Sequence, residues 1–141
     1  MTQAFFNIDT LVNDDLAVAD VPVVFNEDAE PIAGFKVVGK NSARYQEAQR
    51  AIEILSIKRA VIKKQQIDAK TDEGAGQFVD INKENQIRLA TAAVVSIYGF
   101  RSGDTDLKAT PEVLANLFNK RPTWLAKVIT AIEAETGFLP A

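Results

Sequence analysis

Between Gly39 and Gly74 the chain contains neither glycine nor proline. Those two residues are the usual helix breakers, costing about 1 and 3 kcal/mol against alanine in a helix interior. The stretch is rich in Ala, Gln, Glu, Lys and Arg. It opens on Asn41-Ser42, either of which caps a helix by accepting an orphan backbone N–H. One long helix from this cap to about Lys70 is therefore predicted. Tyr45, Ala48, Ile52, Leu55 and Ile62 recur at helical spacing, with Arg59 interrupting the row, and Ile54, Ile57 and Val61 form a second, offset row. One row is enough to seat a helix on a flat surface. Two rows mean a helix sandwiched in the core or shared with a partner.

The segments around this helix read as α+β, mostly helical. Residues 1–20 show no clear period and form an acidic N-terminal arm; residues 21–141 read as a single domain of hairpin plus helices. The run Val21-Pro22-Val23-Val24-Phe25 is β-branched and aromatic, and Pro22 suits an edge strand. An Asn-Glu-Asp-Ala-Glu-Pro turn separates it from Ile32–Val38, giving a hairpin over about 21–39. Residues 71–79 read as a loop because of Gly74 and Gly76, and a second helix is predicted from Asp80 to Tyr98, stopped by Gly99. Residues 101–109 read as a second loop. Thr110-Pro111-Glu112 is a strong helix start, and Pro122 begins a last helix carrying Trp124, Leu125, Val128, Ile129 and Ile132. Gly137 closes it, with Phe138-Leu139 folding back. The order is an arm and a hairpin followed by about four helices.

Composition narrows the chemistry. The 141 residues include no Cys and no His. Disulfides, thiolate nucleophiles, imidazole bases and Cys or His metal sites are excluded. Asp14-Asp15 and Glu27-Asp28-Glu30 are candidate carboxylate clusters without a Lys or Tyr partner at an interpretable spacing, and Asp104 and Asp106 alternate as loop ligands for a hard cation but lack the remaining ligands and the later Glu of an EF-hand, so all three read as solvated surface. Gly74-Ala75-Gly76 lacks the rest of a phosphate-binding fingerprint. No catalytic residue, metal or cofactor is expected. The longest apolar stretch, Leu89–Phe100, is shorter than the ~20 residues that span a bilayer. No basic leader precedes it, so a cytoplasmic protein without membrane association is expected.

Charge is unevenly placed. Residues 1–35 carry seven acids and no base, residues 36–70 nine bases and three acids, and the whole chain −3. The acidic and basic parts can pair within one chain or between copies. The basic helix is a weak nucleic-acid footprint, since its charges fall on no single stripe and only Tyr45 interleaves with them. The residues singled out for partner binding are Ile54, Ile57 and Val61, with Lys58 and Arg59 beside them, and Trp124, an aromatic of the kind favoured at interface hot spots. The competing reading of each apolar residue is plain core.

Two stretches resemble the tail assembly chaperones of tailed bacteriophages. Phe35–Gln46 (FKVVGKNSARYQ) matches the family's strand, Gly, Asn/Asp-Ser and long Arg/Gln/Ala-rich helix. Tyr98–Pro140 is similar to its closing module in Thr110-Pro111-Glu112, Leu117-Phe118, Pro122, Trp124-Leu125 and Phe138-Leu139. The aromatic-Gly segment is Tyr98-Gly99-Phe100, where the family often has Trp, and Thr123 separates Pro122 from Trp124. The resemblance implies a non-enzymatic protein that binds the tape measure protein, keeps it in solution and recruits tail tube subunits, in the host cytoplasm. The spare apolar face and the charge asymmetry fit this role. They equally fit a structural subunit of a phage tail or virion, or a homo-oligomer.

Overall fold

The computed structural model describes Ala4 and residues 17–62, 72–134 and 139–140. Strand β1 (Ala17–Phe25) and strand β2 (Pro31–Val38) form an antiparallel hairpin with Val21 opposite Phe35 and Ala19 opposite Val37. Helix α1 spans Ala43–Ile62 and α2 Asp72–Ala93. Strand β3 (Val94–Tyr98) follows α2 directly, and the two-residue strands β4 (Arg101–Ser102) and β5 (Thr105–Asp106) form a small hairpin of their own. Helices α3 (Pro111–Lys120) and α4 (Pro122–Glu133) and strand β6 (Leu139–Pro140) complete the chain. The main sheet runs β3-β2-β1-β6. The architecture is α+β and mostly helical, as the sequence indicates.

Alternation sets the core. Ala19, Val21 and Val23 on β1 and Phe35 and Val37 on β2 face inward, and Leu114, Phe118, Leu125, Val128 and Ile132 of α3 and α4 pack on them. Phe35 is fully buried among rings. Its centroid lies 5.3 Å from Phe100, 5.2 Å from Phe118 and 6.4 Å from Trp124. Tyr45 at the start of α1 and Ala90 and Ala93 at the end of α2 also belong to this core. The two helices therefore leave the core and return to it antiparallel, packed side by side.

Several boundaries differ from the sequence reading. Strand β1 begins at Ala17, four residues inside the segment read as the acidic arm; the arm's residues 1–3 and 5–16 lie outside the described residues. Helix α1 is described to Ile62, and its expected continuation to Lys70 lies outside them too. The expected loop at 71–79 is helical from Asp72, because packing against α1 outweighs the poor propensity of Gly74 and Gly76. The expected helix through Tyr98 stops at Ala93. Val94-Val95-Ser96-Ile97-Tyr98 is β-branched and aromatic, and it pairs with β2, Phe35 facing Ile97 and Gly34 facing Tyr98. Part of the expected loop at 101–109 is the β4–β5 hairpin. Gly137 and Phe138 are outside the described residues, and Leu139 pairs with Val18 of β1 rather than folding onto the last helix.

Local chemistry fixes the joints. The Ser42 Oγ donates to the Gly39 carbonyl at 2.7 Å and accepts the Tyr45 N–H at 3.3 Å, making Ser42 the cap of α1. The Lys40 N–H donates to the Ile132 carbonyl, tying this joint to α4. Thr110 caps α3 through the Val113 N–H, with Pro111 in the first turn.

Candidate partner interface

Helix α1 has two apolar sides, and among the described elements it packs chiefly on α2. Tyr45 is buried, and Ala48, Ile52 and Arg59 are half-buried on the side that meets α2. Ile54, Leu55 and Ile57 expose 41, 47 and 62% of their surfaces. Ile54 and Ile57 lie one turn apart on the side away from α2, so these two residues of the second stripe are surface and not plain core. The Val61 side chain lies outside the described residues. Leu55, read from its spacing as part of the inner row, sits at the lip of a groove of about 190 Å³ between the helices, together with Ile52, Arg59, Ile81 and Arg88. Val79 on α2 adds a further exposed apolar side chain, 66% open.

Charged neighbours frame this face unequally. Arg50 and Lys58 are exposed on α1, Arg50 within a shallow polar depression with Gln46, Glu47, Gln49 and Glu53. Arg59 was expected beside Lys58 at the rim of the outer stripe, but it lines the α1–α2 groove instead. The groove also holds the Arg88–Glu84 ion pair, at 2.8 Å. Trp124 does not join the stripe. It is half-buried on α4, with its ring 5.6 Å from Phe100, as part of the aromatic cluster around Phe35.

Two of the three carboxylate clusters are exposed. Asp106 pairs with Arg101 across the β4–β5 turn at 2.6 Å, and Gly103 takes the positive φ of 61° that the tight turn needs. Glu27, Asp28 and Glu30 are exposed in the β1–β2 turn. The Asn26 Oδ1 there accepts the N–H groups of both Asp28 and Glu30 at 2.9 Å. Asp14 and Asp15 lie outside the described residues. Among the described residues no group of three or more acids is close enough to hold a metal ion, and no helix is long and apolar enough to cross a membrane.

Two tyrosines are electrostatically marked. Burial, then the hydrogen bond to Asp20 at 2.8 Å and the charge of that carboxylate, push the Tyr98 phenol up to about 12. Burial, and secondarily the charge of Glu133, raise that of Tyr45. Tyr98 reaches Asp20 across Gly34, where a Cβ would come within 2.6 Å of the phenol oxygen and of the Val21 carbonyl oxygen. The arrangement fastens β3 to β1 over the intervening strand.

The sequence reading passed over a second exposed apolar pair, Phe25 and Ile32, at the end of the β1–β2 hairpin, 46 and 49% open. The available signal was Phe25 placed immediately before an acidic turn. Comparison with protein-family models, with characterised proteins and with solved structures finds no match to this chain.

Proposed function

We propose that this chain is a tail assembly chaperone of a tailed bacteriophage, which binds the tape measure protein and recruits tail tube subunits in the host cytoplasm without catalysing a reaction. The observation that carries this reading is the apolar outer side of α1, where Ile54 and Ile57 are exposed and turned away from α2, the described element on which α1 chiefly packs. A protein that shields an apolar segment of a client needs such a face, framed by long polar side chains that adapt to it. The motifs behind the resemblance support the reading locally. Ser42 caps a long helix directly after a strand, and Thr110-Pro111-Glu112 opens a short helix followed by one that begins at Pro122.

The test is the double variant Ile54→Ser/Ile57→Ser. Both side chains are exposed, so the melting temperature should move by no more than a few degrees, whereas co-purification with the tape measure protein should fall about tenfold or more. Unchanged co-purification removes the face from the mechanism. The same exposed face also favours a second reading, a structural subunit of the tail or virion. Mass spectrometry of purified particles separates the two: a subunit is present stoichiometrically, a chaperone is absent.

A further inference from the structure

The groove between α1 and α2 holds a charge that the described part of the chain does not answer. Its walls bring Ile52, Leu55 and Arg59 of α1 against Ile81, Asn85 and Arg88 of α2, around a volume of about 190 Å³. Arg88 is taken by Glu84 of its own helix at 2.8 Å. Arg59 is half-buried beside these aliphatic side chains and enters no ion pair with a described residue. The exposed charges that adjoin the walls, Glu53 and Lys58 on α1 and Asp80 and Lys83 on α2, cancel in sign. The groove therefore keeps one positive charge in surplus, on a guanidinium that has given up part of its water to apolar neighbours. The Asn85 amide and the Ser56 hydroxyl add neutral hydrogen-bonding groups to the same walls.

We propose that this groove binds the C-terminal residue of a partner polypeptide that ends in leucine, isoleucine or valine. Three properties of the groove select that ligand. The surplus charge calls for an anion, and the planar fork of a guanidinium matches a carboxylate through two parallel hydrogen bonds. The walls formed by Ile52, Leu55 and Ile81 call for an apolar side chain next to that anion. The volume lies below the roughly 300–1,000 Å³ of pockets that hold drug-sized ligands, so both groups have to come from one residue. An aliphatic residue at a C-terminus carries both on a single α-carbon. An Asp or Glu inside a chain brings the anion without the branched apolar group. Asn85 and Ser56 are then the groups left to pair with the last peptide unit of the ligand. The inference does not rest on the client reading, which uses Ile54 and Ile57 on the side of α1 away from α2.

The test is a titration of the whole, ¹⁵N-labelled chain with N-acetyl-leucine, followed by NMR at the Arg59 Nε–H and the Asn85 side-chain amide. Saturable shifts of both signals are expected, with a dissociation constant on the order of 5 mM for so small a probe. N-acetyl-leucinamide, which lacks the charge, and acetate, which lacks the aliphatic group, should each bind at least fivefold more weakly. Arg59→Gln should lose N-acetyl-leucine binding by a similar factor, while Arg59→Lys keeps part of it. Absence of a saturable shift, equal binding of the amide or of acetate, or an Arg59→Gln chain that binds like wild type overturns the proposal. N-acetyl-aspartate binding as tightly as N-acetyl-leucine also overturns it, since the groove would then read an acidic side chain. If Arg59→Gln lowers the melting temperature, the comparison of the four probes on the wild-type chain decides alone. The Ile54→Ser/Ile57→Ser chain should bind N-acetyl-leucine like wild type, so failure of this site and failure of the client reading are seen separately.

Discussion

Tyr98 holds three strands together with one hydroxyl. Its phenol sits over Gly34, where any side chain would collide with it, and donates to Asp20 on the far strand. The folded phenol titrates near 12 against an ordinary value near 10. Between those two values the folded chain keeps a proton that the unfolded chain has lost, so this group's contribution is intact below pH 10 and declines as pH rises towards 12. Tyr98→Phe should flatten that decline relative to wild type when urea unfolding is followed from pH 9 upward, and at neutral pH it should cost about 1 kcal/mol for the lost hydrogen bond. Gly99, the next residue, has φ 77°, and a Cβ there would overlap the Ile32 carbonyl oxygen. Gly99→Ala should therefore destabilise the chain by more than the roughly 1 kcal/mol of a left-handed alanine alone, seen as a lowered urea midpoint.

The elements whose limits are set by nearby residues could be read from the sequence, and those set by distant ones could not. Ser42 and Thr110 announce their helices because a cap acts on the next turn of the same chain. Ser42→Ala removes a cap whose hydroxyl is fully buried and makes two hydrogen bonds, and should cost about 1–2 kcal/mol in thermal or urea unfolding. Strand β3 is the contrary case. Val94 and Ile97 fit a helical row as well as they fit a strand, and over five residues the two periods cannot be separated. What decides is the unpaired edge of β2, dozens of residues upstream in the chain. The outer stripe of α1 shows the same limit. Spacing places Ile54 and Ile57 together on one side of the helix, but whether that side is core or surface depends on where α2 packs, and periodicity holds no record of that.

The described residues contain an aromatic centre and a helical pair that extends from it. Phe35 touches three other rings and is fully buried, so Phe35→Ala should cost about 3–5 kcal/mol, the range for emptying a large aromatic site, with a matching fall in the denaturation midpoint. The helical pair answers to different constraints. Strands β2 and β3 are neighbours in the sheet, and α1 and α2 are the described elements that lie between them in the chain. To the sheet, that whole excursion is a single connection whose two ends are pinned, at Tyr45 and at Ala90 and Ala93. Closing a flexible connection costs only about 0.6 kcal/mol more for each doubling of its length. Whole turns inserted at the far end of the pair would leave every strand register untouched, whereas the same insertion in α4 would carry Leu125, Val128 and Ile132 away from the rings they cover. The reach of this molecule can thus drift over evolutionary time while its foundation stays fixed, and sequences that share its centre need not share its span.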